Sequence, residues 1–144
     1  MITIINHVSF TVKNLEKSVR FYEDILGLEC VSIAERDADF SSDVTGIQGV
    51  KMKIAYLRAE NCSIELIQYT VGAGGKIDTK TNNIGSSHIC FNIKDYDGWI
   101  EHMKKNNVRF RGKVCTVPAG PNAGKRVCYM MDHDGNNLEF IEEI

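Results

Sequence analysis

Two stretches of the chain, His7-Val8-Ser9-Phe10-Thr11-Val12 and His88-Ile89-Cys90-Phe91-Asn92-Ile93, alternate polar and apolar side chains in step. A period of two belongs to a strand with one face buried. Val8, Phe10 and Val12 are therefore expected to turn toward a packed helix, and His7, Ser9 and Thr11 away from it. His88, Cys90 and Asn92 take the second direction in the other stretch. Each stretch leads into a good helix N-cap, Asn14 and Asp95. Beyond Asn14, Leu15, Val19, Tyr22 and Leu26 recur at helical spacing and predict a helix over about 15–26, stopped by Gly27. Beyond Asp95, Trp99, Ile100 and Met103 predict a helix over about 96–106. Three strands are expected after each helix, at roughly 28–36, 50–58 and 62–69 and then 108–116, 125–131 and 136–143. Asp134-Gly135 supplies the turn before the last of them.

The chain thus repeats itself. A shift of 81 residues lays His7 on His88, Phe10 on Phe91 and Val12 on Ile93. A shift of 74 lays Glu65 on Glu139, Ile64 on Leu138, Leu57 on Met131 and Lys51 on Lys125, so the second copy is seven residues shorter between its helix and third strand. The glycine-rich stretch between Thr70 and Ser87 reads as the connection. These features predict one α+β domain over 1–144, with module one at about 1–70, a linker at about 71–84 and module two at about 85–144. Each module reads as βαβββ; if the two mixed sheets curl and pair, their second faces would line one cup, which the residues below would make metal-containing.

Four polar residues interrupt otherwise apolar strands: His7, Glu65 in Ile64-Glu65-Leu66-Ile67, His88, and Glu139 in Leu138-Glu139-Phe140-Ile141. Burying an ionised carboxylate costs several kcal/mol or more unless something compensates it. One divalent cation held by two imidazoles and two carboxylates is such compensation. A lone histidine or glutamate here is more simply structural; four at repeat-equivalent positions point to a ligand set. These borderline donors suit zinc, nickel, cobalt, manganese or iron(II) without choosing among them.

Composition narrows the setting. The formal net charge is −2 and no basic stripe stands out, which argues against nucleic acid and for a small-molecule partner. No apolar run approaches the roughly 20 residues of a membrane span, and the amino terminus lacks the features of a signal peptide. Five cysteines, an odd number without Cys-x-x-Cys spacing, oppose both a disulfide framework and a thiolate zinc site. A reducing cytoplasm is the expected compartment.

The runs Asn6-His7-Val8-Ser9-Phe10, Ser18-Val19-Arg20-Phe21-Tyr22, Leu26-Gly27-Leu28, Ile64-Glu65-Leu66, Ser87-His88-Ile89 and Asp134-Gly135-Asn136-Asn137-Leu138-Glu139 resemble the vicinal oxygen chelate superfamily over essentially the whole chain. That superfamily includes glyoxalase I, methylmalonyl-CoA epimerase, fosfomycin resistance proteins, extradiol dioxygenases and bleomycin-binding proteins. The resemblance implies that His7, Glu65, His88 and Glu139 are the metal ligands, a set similar to bacterial glyoxalase I and close to the epimerases. It implies a lyase or isomerase of glyoxalase type that chelates an oxygenated substrate and moves a proton through an enediolate. By the same analogy Glu139 is the base, Glu65 assists, and the protein is a homodimer. The alternatives are an acyl-CoA epimerase, an antibiotic-binding or resistance protein, and a dioxygenase. No counterpart to a basic and aromatic glutathione pocket is evident, and the Asp134-Gly135 ending departs from the epimerase pattern.

Other residues carry weaker signals. His102, on the second helix, and His133, in a turn, are expected to be solvated, and Arg20 to be a surface charge. Cys90 is expected on the face of His88, where packing explains it as readily as chemistry. Val117–Gly124 is read as either a ligand cover or a plain hairpin connection, and Asp39–Val44 as a short lid.

Overall fold

A computed structural model describes residues Met1–Ile144 and divides them into two compact units, Met1–Lys76 and Ile77–Ile144. The fold is α+β, with a mixed sheet in each unit.

In the first unit, strand β1 (His7–Thr11) leads to helix α1 (Leu15–Arg20), which continues into a π-helical turn at Phe21–Ile25. Strands β2 (Glu29–Arg36), β3 (Lys51–Arg58) and β4 (Ser63–Val71) follow, with helix α2 (Ala38–Thr45) inserted before β3. The sheet order is β1-β4-β3-β2, with β1 parallel to β4 and the other pairs antiparallel. Alternation acts as expected: Phe10 and Val12 are buried while Ser9 and Thr11 are exposed. They pack with Leu15, Val19, Tyr22, Leu57, Ile64 and Leu66 in the core. Each fully buried aliphatic side chain contributes about 1.5–3 kcal/mol.

The Asn14 side chain caps α1 by accepting from the Lys17 amide at 2.9 Å. The expected regular helix over 15–26 widens after Arg20, where Leu26 N–H reaches back to Phe21 O at 3.2 Å. Gly27 then ends it at φ +76°, a left-handed conformation that suits a residue without Cβ.

The second unit runs β5 (His88–Ile93), α3 (Tyr96–Lys105), β6 (Arg109–Phe110), β7 (Cys115–Thr116), β8 (Arg126–Met131) and β9 (Asn137–Glu142). Its order is β5-β9-β8-β6, with β7 also paired to β8 and β5 parallel to β9. Asp95 caps α3 through the Gly98 amide at 3.1 Å. Tyr96 is buried and donates its hydroxyl to Phe140 O at 3.1 Å, pinning the helix to β9. Arg126 stacks over the Tyr96 ring and forks onto both Glu142 and Asp97, a pairing that raises its own pKa and lowers that of Glu142.

Three further sequence expectations change. The single strand expected over 108–116 is two short pieces, interrupted where the Arg111 side chain turns toward Asn137 and Thr79. The Asp39–Val44 stretch lies within α2, capped by Asp37 on the Phe40 amide at 2.9 Å and closed by Gly46. The 74-residue shift fails in the third strand. Met130, not Met131, takes the register position of Leu57, because Leu57 pairs with Ile64 and Met130 with Leu138. The hairpin between the last two strands is therefore one residue longer in the second unit. That unit also lacks a counterpart of α2, which accounts for its shorter middle.

Candidate functional site

Each unit brings one predicted histidine against one predicted glutamate. In the first, β1 and β4 run parallel with Ser9 opposite Glu65, so His7 at the start of β1 reaches the same sheet face as the carboxylate. His7 Nε2 lies 3.5 Å from Glu65 Oε2. In the second, Cys90 stands opposite Glu139, and His88 Nε2 lies 3.0 Å from Glu139 Oε2. The repeat in sequence is thus a repeat in geometry.

Glu65 is 7% exposed, and its other oxygen, Oε1, accepts the Tyr56 hydroxyl at 2.5 Å. That bond to a carboxylate, with burial second, raises the Tyr56 pKa. The His7 ring meets the Tyr56 ring edge-on at 5.7 Å, and its Nδ1 lies 2.7 Å from Asn6 Oδ1. With Nδ1 donating to that oxygen, Nε2 would keep a lone pair for a metal ion.

In the second unit Tyr129 occupies the place of Tyr56. It stands opposite Glu139 in the β8–β9 register, and its ring meets His88 edge-on at 5.1 Å. Burial, with Glu139 adding to it, raises the Tyr129 pKa. Cys90 takes the place of Ser9, and its thiol is pushed up to about 12, first by desolvation and then by the Glu139 carboxylate beside it. The thiol therefore stays protonated at neutral pH. The expectation that Cys90 shares a face with His88 agrees with this contact. Neither tyrosine was found from the sequence; the constant shift of 74 pairs Tyr56 with Met130 and hides their correspondence.

The donor chemistry fits a divalent ion. Two adjacent ligands, each about 2.0–2.2 Å from one metal, lie roughly 3 Å apart, close to the spacing within each pair. Nε2 of His7 and Oε2 of Glu65, the two atoms that face each other, are those that would serve. Neither unit by itself gathers three or more His, Cys, Asp or Glu side chains as a metal-holding group. Each unit sets one imidazole beside one carboxylate.

The remaining candidates fall elsewhere. His102, on α3, lies beside Trp99 and Asn106. His133 is in the β8–β9 turn, where its carbonyl accepts from Arg109. Arg20 is exposed at the end of α1. Val117–Gly124 is a hairpin connection whose ends are paired by Val117 N–H to Lys125 O and Gly124 N–H to Val117 O, both at 2.9 Å. All five cysteines are free thiols, and no helix is long and apolar enough to cross a membrane.

Residues 4–140 match the family model for the glyoxalase/bleomycin resistance protein/dioxygenase superfamily. A 2-epi-5-epi-valiolone epimerase of Actinomyces sp is 27% identical over 95% of this chain and 78% of its own length. The metallothiol transferase FosB of Staphylococcus haemolyticus is 29% identical over 97% of this chain and 84% of its own. The lactoylglutathione lyase of Haemophilus influenzae is 28% identical over 94% of this chain and 90% of its own. Among solved structures, a glyoxalase family protein from Bacillus cereus covers 100% of this chain and 96% of its own, with a TM-score of 0.86 at 21% identity.

Proposed function

Because the chain belongs to the glyoxalase/bleomycin resistance protein/dioxygenase superfamily, we propose that it is a divalent-metal-dependent lyase or isomerase acting on a small oxygenated substrate. The observation that carries this reading is the pair of matched His–Glu contacts, His7 with Glu65 and His88 with Glu139. His7, Glu65, His88 and Glu139 would be the ligands of that ion, which would supply Lewis-acid stabilisation of negative charge on substrate oxygen. The similarity to an epimerase and a lyase supports proton transfer as the reaction.

Glu139 takes the proton from the carbon next to the carbonyl. It is the more open of the two carboxylates, with side-chain exposures of 18% against 9% for Glu65. Glu65, held by the Tyr56 hydroxyl, stays in place as a ligand and assists from its own side. The Tyr56 hydroxyl orients Glu65, Tyr129 stands opposite Glu139 in the ladder, and Asn6 engages Nδ1 of His7. The working protein is a cytoplasmic homodimer whose partner is a small molecule rather than nucleic acid or a membrane.

Metal analysis of chelator-free protein, joined to solvent-deuterium exchange on hemithioacetals, 2-methylacyl-CoA thioesters and other α-hydroxycarbonyls, tests the reading. Stoichiometric metal that is lost on substituting the four ligands, with deuterium entering one substrate class, is expected. Protein that takes up no divalent ion would overturn the mechanism. Mixing Glu65→Gln and Glu139→Gln chains at limiting metal, where neither turns over alone, then decides whether the ligands of one site come from one chain or two: activity returns only if they come from two.

A further inference from the structure

Asn137 is 1% exposed at the start of β9, and both ends of its amide are engaged. Its Nδ2 donates to Thr79 O at 2.8 Å, Ser87 O at 3.1 Å and Ser86 Oγ at 3.2 Å. Its Oδ1 accepts from Arg111 Nε. The same guanidinium continues through Nη2 to Thr79 Oγ1 at 2.6 Å and Gly135 O at 3.2 Å. Thr79 Oγ1 in turn donates to Gly135 O at 2.6 Å. A segment read from sequence as linker is thus clasped to the turn that precedes β9.

The place of this clasp gives it meaning. Asn137 is the residue opposite His88 in the parallel β5–β9 ladder, and it stands two positions before Glu139. Its bond to Ser87 O fixes the peptide that enters His88. The register counterpart in the first unit is Ser63, opposite His7, where no such network exists. There the imidazole is held through its own ring by Asn6. A buried amide with every polar atom matched is a rigid support, since each partner fixes the others. We propose that Asn137, with Arg111 and Thr79, is a positioning residue that sets His88 against Glu139. The inference rests on the reading of these two residues as ligands, and supports of this kind typically change metal affinity by about 10- to 100-fold.

Zinc affinity by chelator competition, together with amide hydrogen exchange over residues 79–93, provides the test in wild type, Asn137→Ala, Thr79→Val and, as the register-matched control, Ser63→Ala. Asn137→Ala is expected to weaken zinc binding about tenfold or more, with faster exchange at His88–Ile93 and unchanged exchange at His7–Thr11. Thr79→Val shows the same pattern more weakly and decides the matter if Asn137→Ala does not fold; Ser63→Ala shows neither effect. Wild-type zinc affinity together with wild-type exchange at His88–Ile93 in the clasp variants overturns the proposal. So does a loss of affinity that follows the melting temperature equally in Ser63→Ala. If wild type binds no zinc, the metal reading fails on its own, and exchange at His88–Ile93 alone then decides whether the clasp orders that segment.

Discussion

The two units set a histidine, a glutamate and a tyrosine at the same register positions, yet they hold them by different means. In the first, Glu65 is buried, bonded to Tyr56 at 2.5 Å, and faced by a histidine whose other nitrogen is fixed by Asn6. In the second, Glu139 is more open, its neighbours include the Cys90 thiol, and its histidine is supported through the backbone clasp on Ser87. Duplicated geometry therefore does not mean duplicated rigidity. A carboxylate with one oxygen locked in a short bond suits a permanent ligand. One beside softer partners is better placed to move a proton, which is why the two glutamates are assigned different roles.

Three experiments press on that asymmetry. The largest effect is expected from Glu139→Gln, which should lower turnover by about 100- to 10,000-fold, the range of a lost general base. Glu65→Gln should chiefly weaken metal binding; equal losses of turnover at saturating metal in both variants would erase the distinction. Next comes Tyr56→Phe, which leaves Glu65 Oε1 without its partner and should cost about 1–3 kcal/mol in denaturant unfolding. Tyr129→Phe should cost less, and the reverse order would show that the first carboxylate is not the more firmly held. The smallest effect concerns acid. The Glu142 pKa is lowered by its bonds to Arg126, so that pair stabilises above the unfolded-state pKa of the carboxyl, and its contribution is lost as pH falls through the folded value. Hydrogen-exchange protection, corrected for the intrinsic rate at each pH, should fall in the second unit below about pH 4.5, and Glu142→Gln should flatten that dependence. Acid opening of the first unit alone would contradict it.

Much of the architecture was legible because it rests on local rules. Alternation in His7–Val12 and His88–Ile93 identified β1 and β5, and the caps Asn14 and Asp95 identified the helices behind them. The repeat singled out the four residues, while the parallel ladders, not the sequence, set each histidine against the glutamate of its own unit. The tyrosines were hidden by one residue: Tyr56 precedes Glu65 by nine positions, whereas Tyr129 precedes Glu139 by ten. A fixed offset cannot absorb that, while the ladder does so through a longer turn. Helix α2 escaped notice because Ala38-Asp39-Phe40-Ser41-Ser42-Asp43-Val44-Thr45 contains few strong helix formers; its Asp37 cap and its packing carry it. The clasp was out of reach for another reason. Thr79 and Asn137 are 58 residues apart, and nothing in either neighbourhood announces the other.

The wide turn at Phe21–Ile25 acts as a phase adjustment. Successive residues of an α-helix advance about 100° around its axis. One residue fewer between Arg20 and Gly27 would rewind the turn and point the emerging chain elsewhere, drawing Glu29–Arg36 off its pairing with β3 and breaking the bond from Cys30 N–H to Glu23 Oε1. A single-residue deletion there alters a direction as well as a length: the turn keeps the count on which the pairing of β2 depends.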